Sequence, residues 1–488
     1  MSKFKKAVLD TSLFRRSYIV CLFCSNISFV LIPAYAVLAV LFIWGVFLLI
    51  YNEVKHHTIQ KTRYGLWLAA FVLSSTVTVI VHLASSALYN AINFMMVLHV
   101  AVCFFVFYSV HTEKELNFRR ELYSVCRFIV YTTTVLGIVG LAFLMAEISF
   151  EVLWFKFIVF ENRFDGMFVN PNQLGFISAA AIFCCHMLMK KDFIAISGRE
   201  RVSRIWIGSC VAVNAISLIL CDSNGALVLV LGYIIFYLIY KMFGSERKLS
   251  TWVVAKKALA CLVAGVFIVA AIFFMRNVTQ AGFSQIMRDS KPVVVASSDD
   301  LADIIVEGEA GVTFEHVNKN IDSGRFKLWQ QAAKMFAQNP VIGIGKGNIY
   351  EYGNRLFEGG IKFSDSYGIL APIMTDFHNG YITIIICSGV IGFVLFCIFW
   401  LRFFRHITVH VFREEGLSES VLPCMFAFIC AYLIYSFIEV GLLFNLNFMV
   451  IFFWLIVGYT SCFLVKFEPD EELGTFELFG RTFRRSIL

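Results

Sequence analysis

The chain has 488 residues, of which 59% are hydrophobic and only 15% charged, with a mean hydropathy of +0.77 and a net charge of +7. A soluble domain carries about 45–50% apolar and about 25% charged residues, so these figures exclude a soluble globular enzyme, a disordered chain, a collagen and a disulfide scaffold. They specify an all-α polytopic membrane protein. In such a chain the placement of Lys and Arg matters more than their sum, and the charge does not argue for nucleic acid.

A membrane helix needs about 20 mostly apolar residues. On that criterion the sequence predicts twelve spans, near 18–31, 34–51, 66–83, 88–110, 126–147, 173–189, 205–221, 225–241, 256–275, 379–400, 421–438 and 444–465. The first two form one apolar run broken at Pro33, readable as a tight hairpin or as a single bent element. Because a second apolar run follows at once, the N-terminus does not read as a cleaved signal. The predicted organisation is a bundle of about nine spans over 1–275, a long loop over 276–378, three further spans over 379–465 and a mixed-charge tail over 466–488.

Basic residues then assign the sides. The two termini and the loops 52–65, 111–125, 190–204, 241–257 and 401–420, with Arg127, hold 29 of the 41 Lys and Arg. The positive-inside rule makes that side cytoplasmic. The outer side receives 148–172 and the loop 276–378, too long for a plain connection and suited to a cap or lid. Fourteen cysteines lie in or beside apolar spans and none in 276–378, so they read as small packing residues and not as a disulfide framework. The Cys21–Cys24 spacing has no second pair to make a metal site.

Within the long loop, Val293 to Asp300 reads as flexible, and an amphipathic helix is predicted near 324–338. Ser323 is its candidate N-cap, Phe326, Trp329, Ala333 and Phe336 share one face, and Pro340, Gly343 and Gly345 end it. Ionisable groups are scarce inside the spans. His82, His99 and His186 read as helix-packing residues, and neither an intramembrane carboxylate relay nor an inverted repeat is visible, which counts against a transporter.

Three outer segments carry candidate chemistry. Arg163 stands shortly before Asn170-Pro171-Asn172 at the entrance to the sixth span, as an interfacial residue or an anion clamp; the second Asn is a candidate cap for the following helix. Arg325 opens the amphipathic helix, where it opposes the helix dipole unless an anion is near, with a salt bridge to Asp322 as the plainer reading. His378-Asn379 opens the tenth span, and a histidine with an ordinary pKa of about 6.5 can serve there as a general base. Two arginine forks and a histidine at one water–lipid boundary suit transfer chemistry on a lipid-linked diphosphate.

These segments resemble the O-antigen ligase/O-antigen polymerase superfamily of bacterial membrane glycosyltransferases. The shared pattern is Arg163-x-x-Gly166-x-x-x-Asn170-Pro171-Asn172, then Gly324-Arg325 with Trp329, Pro340-x-x-Gly343-x-Gly345, and His378-Asn379. It covers roughly residues 160–460. The resemblance implies a GT-C-like architecture and a metal-independent, inverting transfer of a glycan from undecaprenyl diphosphate to an acceptor hydroxyl, at the outer face of the bacterial cytoplasmic membrane. It implies that Arg163 and Arg325 bind the diphosphate, that His378 activates the acceptor and that Asn172 and Asn379 line the substrate site. No cofactor is implied; the partners are the lipid-linked donor, a glycan or glycolipid acceptor and membrane lipids. One departure is visible: relatives often have Ser-Arg-Gly after the seventh span, where this chain has Ser223-Asn224-Gly225, so a third arginine is missing or supplied elsewhere. Relatives also often carry an acidic residue where this chain has Glu439, either orienting an arginine or lining the turn.

The alternative from another class is a flippase or other transporter of the same lipid-linked glycans. Gly343 to Gly347 lacks phosphate-loop spacing and reads as a turn, and Asp299, Asp300 and Asp303 read as a solvated acidic stretch and not a metal site. Ligase and polymerase, the donor sugar, the acceptor and the oligomeric state are not distinguished by sequence.

Overall fold

Each of the twelve predicted spans overlaps a helix, the first only as far as Cys24, in the computed structural model, which describes residues 3–113, 116–146, 148–152, 155–157, 163–197, 203–244, 250–286, 293–295, 325–361, 373, 375–467, 475–478 and 481–484. In chain order these are α1 Thr11–Cys24, α2 Leu31–His56, α3 Gly65–Val81, α4 Ala87–Val102, α5 Phe118–Met145, α6 Pro171–Leu188, α7 Arg204–Leu220, α8 Asn224–Phe243 and α9 Thr251–Ile286. The long loop contributes α10 Arg325–Phe336 and α11 Asn348–Leu356; then come α12 Gly380–Arg413, α13 Leu422–Tyr435 and α14 Phe448–Phe467. Seven of these helices are long and apolar enough to cross a membrane, and α3, α7 and α13 are shorter apolar helices. The chain is a polytopic, helical membrane protein.

A helix apolar on every side belongs in the interior, and α14 is that helix, with Met449 through Tyr459 buried along its length. Lipid supplies little hydrophobic drive between helices, so contact packing must hold them together. Here aromatic rings supply it: Phe183 stacks on Phe428 and Tyr432 on Phe453, both with centroids 4.3 Å apart. α9 is the opposite case. Leu259, Leu262, Val266 and Phe267 all face outward, as expected of a peripheral, lipid-facing helix.

The structure corrects several local expectations. The first apolar run breaks at 25–30 and not at Pro33, which sits in the first turn of α2 where its missing N–H costs nothing. α1 and α2 form a hairpin, closed where Trp44 Nε1 donates to Val8 O (2.7 Å). α9 runs to Ile286, past the predicted boundary at 275. Val293–Val295, expected to be flexible, is a strand parallel to part of Ile148–Val152, which also pairs antiparallel with Phe155–Phe157. On α10 the buried residues are Leu328, Ala332 and Met335; of the predicted apolar face, Phe326 and Ala333 are exposed, while Trp329 and Phe336 pack partly buried against the core. Ser323 and the acidic stretch at 299–303 lie outside the described residues.

α12 is broken at Gly389, whose φ of 65° and ψ of −172° are not helical. A break inside a span frees backbone groups that lipid cannot satisfy. The Pro340–Gly345 segment fills the gap. Ile344 N and Gly345 N donate to Ile386 O (2.8 Å) and Cys387 O (3.1 Å), and Val390 N and Ile391 N donate to Pro340 O (2.9 Å) and Val341 O (3.2 Å). Gly389 is nine residues past Gly380, about 14 Å along the helix at 1.5 Å per residue. The glycine motif is therefore a re-entrant plug as well as a turn. A Cβ on Gly343, at φ 77°, would lie 2.5 Å from Gly389 N. Left-handed strain costs about 1–2 kcal/mol and overpacking about 1–3 kcal/mol, so Gly343→Ala is expected to lower the melting temperature in detergent clearly, and Gly282→Ala, with open space around it, is not.

Candidate functional site

The α7–α8 turn, the last part of α9, the start of α12 and the α13–α14 turn meet at one end of the bundle, and the candidate residues are distributed around them. The segment 375–379 is fixed from several directions. Lys346 Nζ donates to Thr375 O (2.5 Å), Trp329 Nε1 to Phe377 O (3.0 Å), and His378 N to Asp376 Oδ1 (2.8 Å). Gly380 N donates to Ser436 O (2.8 Å) and Glu439 O (3.1 Å), tying the segment to the α13–α14 turn. His378 is held at φ 45°, in the left-handed region that non-glycine residues rarely occupy; such strain tends to collect at functional positions.

Glu439 joins two of the three predicted residues. Its Oε1 accepts from Arg325 Nη2 (3.1 Å) and its Oε2 from His378 Nδ1 (3.1 Å). Burial alone would lower the pKa of His378, but the hydrogen bond and charge of Glu439 and the charge of Asp376 outweigh it, against opposition from Arg325, and raise the pKa to about 9. At neutral pH His378 is therefore an imidazolium, with only about 1% in the neutral form. Two cations, Arg325 and His378, thus share the carboxylate of Glu439, with Asp376 beside them.

Arg163 is not hydrogen-bonded to either of them. Its Nε donates to Cys221 O (2.9 Å) and its Nη2 to Asn172 Oδ1 (2.7 Å). Cys221 opens the α7–α8 turn, and at its other end a Cβ on Gly225 would lie 3.3 Å from Glu439 Cγ. One short turn thus separates Arg163 from the Arg325–Glu439–His378 group. The two asparagines predicted for the substrate site bond to backbone and to arginine. Asn172 orients Arg163; the helix cap is Asn170, whose side chain accepts from Gln173 N (2.9 Å) because Pro171 takes the first helical position. Asn379 caps α12 through Tyr381 N and Ile382 N (both 3.0 Å) and donates to Phe437 O (2.8 Å).

Sequence reasoning missed Arg276. The otherwise exposed α9 buries one short stripe: Arg276 is paired with Asp222 and lies within 3.5 Å of Asn224 Oδ1, while Gln280 Nε2 donates to Asp222 Oδ1 (3.2 Å). Asp222, like His378, has a left-handed backbone, with φ 51°. An arginine therefore does stand at the corner where Ser223-Asn224-Gly225 lacks one, supplied by a neighbouring helix. The available signal was an Arg immediately after an apolar run ending on the outer side. Among the described residues, no three His, Cys, Asp or Glu side chains converge as metal ligands. The groups gathered around these turns are three arginines and an imidazolium against the carboxylates of Glu439, Asp376 and Asp222, and the arginine forks suit a multiply charged anion.

Residues 209–397 match the family model described as O-antigen ligase. No curated protein matches the chain. The matched region contains Asp222, Arg276, Arg325 and His378 and leaves Arg163 and Glu439 outside it. The resemblance to the O-antigen ligase/O-antigen polymerase superfamily is borne out over this region, and with it a role in polysaccharide assembly at a membrane.

Proposed function

We propose that this protein is a ligase or polymerase that transfers a glycan from an undecaprenyl-diphosphate carrier to an acceptor hydroxyl at the outer face of the cytoplasmic membrane. The observation carrying this reading is Glu439 holding together Arg325 and His378, two residues of the O-antigen ligase region (3.1 Å to each). The acceptor oxygen attacks the anomeric carbon from the face opposite the diphosphate. The bond between that carbon and the phosphate oxygen breaks, and its electron pair leaves with the diphosphate. Arg325 and Arg163, with Arg276 at the same corner, offset the charge that grows there, as fixed donors do in a water-poor site. His378 takes the acceptor proton at Nε2 while Nδ1 stays on Glu439, which orients the ring and stabilises the imidazolium.

Two measurements test this reading. Cells lacking the protein are expected to accumulate the lipid-linked glycan at the outer leaflet and lose the surface polymer; accumulation at the inner leaflet would point to a flippase. For topology, cysteines introduced at Ser297 and Lys362 should react with an impermeant reagent in intact cells, and one at Ser197 should not. The inverse pattern would put the site on the wrong side and end the mechanism.

A further inference from the structure

At the opposite end of the bundle a cavity of about 480 Å³ opens against the first turns of α5 and is lined by Arg120, Tyr123, Ser124, Arg127, Phe128 and Tyr131. The spacing of these residues puts them on one helical stripe. Arg127 lies between two rings, 5.5 Å from the centroid of Tyr123 and 5.3 Å from that of Tyr131. Such stacking fixes the guanidinium plane while leaving its N–H edge available for hydrogen bonds. Among the described residues, Arg120 and Arg127 form no ion pair. The nearby acids are engaged elsewhere: Glu121 with Arg15 and Tyr459 Oη, and Asp192 with Arg119, Ser420 and Val421 N.

The level of the cavity along the bundle is marked by aromatic side chains. Tyr131 packs on Trp206 with centroids 5.8 Å apart, and both are exposed, as is Trp252 with Lys256 over its ring. Tyr and Trp exposed at one level of a membrane helix bundle mark the interface where headgroups lie. Next along the surface of α5, Val135 and Ile138 are exposed and apolar. The stripe thus runs from two cations, through amphipathic rings, to aliphatic side chains. That is the profile of a phospholipid with its acid group outward and its chains in the bilayer.

We propose that this cavity binds the phosphate headgroup of an anionic phospholipid in the leaflet opposite the candidate active site. The guanidinium of Arg127 receives the phosphate in its plane, Arg120 meets it from the first turn, and the acyl chains lie along Tyr131, Val135 and Ile138. Basic pockets between membrane helices bind such headgroups by this combination of charge and apolar contact.

The test is lipid retention by the purified full-length protein, read by native mass spectrometry after exchange from micelles containing phosphatidylglycerol or phosphatidylcholine. Wild type is expected to retain phosphatidylglycerol and not phosphatidylcholine, and the R120Q/R127Q pair to retain it at least tenfold less. A charge-matched control, R402Q/R405Q at exposed positions of α12, is expected to behave as wild type. Equal loss in the control pair would reduce the effect to general surface charge, and undiminished retention in R120Q/R127Q would remove the site; either overturns the proposal. An unchanged melting temperature in zwitterionic detergent confirms that R120Q/R127Q is folded. If it is not, Arg120→Gln alone, at an exposed position, is read the same way with a severalfold loss expected.

Discussion

Exchanging His378 for alanine is expected to lower glycan transfer by about 10²–10⁴-fold, the usual contribution of general-base catalysis, while membrane insertion and donor binding persist. The pH dependence distinguishes base catalysis from a positioning role. With its pKa raised to about 9 by Glu439 and Asp376, His378 can accept a proton only in its minor neutral form. The rate should therefore rise nearly tenfold per pH unit between about pH 6 and pH 8, pass its midpoint near pH 9 and level off above it. Glu439→Gln removes the carboxylate that supports the imidazolium, so the pKa must fall toward the ordinary 6.5. The midpoint should then move to lower pH even though the plateau rate drops. A flat wild-type profile that declines above pH 9 would show that the imidazolium itself works on the diphosphate. His378→Asn with near-wild-type activity would show that the ring only orients the acceptor.

Arg325→Ala is expected to cost about 10²–10³ in turnover, the scale for losing one preorganised oxyanion donor. Arg325→Lys should recover little of it. A lysine keeps the charge, but its compact ammonium cannot both remain on Glu439 Oε1 (3.1 Å in the native pair) and present a planar fork to a phosphate. Initial rates together with donor-binding isotherms check this: turnover should collapse in the Lys variant while affinity falls only modestly. Recovery by Lys would leave a general electrostatic role and rule out bidentate recognition. The same comparison at Arg276, whose buried guanidinium is paired with Asp222, tests whether it replaces the arginine absent from Ser223-Asn224-Gly225.

Much of the helical layout was legible because it depends on composition alone. Twenty apolar residues in lipid must be helical, and each predicted span overlaps a helix. Contacts between remote segments were not legible. Pro33 was a plausible break, yet a proline in a first helical turn costs nothing, and the hairpin turns at 25–30. The apolar periodicity of α10 was real, but Phe326 and Ala333 face outward because Leu328, Ala332 and Met335 also repeat at helical spacing and form the packed face. The plug of 340–345 in the break at Gly389 requires two glycine positions some forty-five residues apart to meet. The same limit explains Arg276 and Glu439: local sequence placed each on the outer side, and only tertiary packing brings one to Asp222 and the other between Arg325 and His378.

Purified protein in lipid nanodiscs, supplied with an undecaprenyl-diphosphate-linked glycan and a hydroxyl acceptor, is expected to release free undecaprenyl diphosphate and form a new, stereochemically inverted glycosidic bond in equal amounts. Both should be lost in Arg325→Ala and His378→Ala. Movement of the intact lipid-linked glycan across a bilayer, with no bond made or broken, would contradict the proposed transfer.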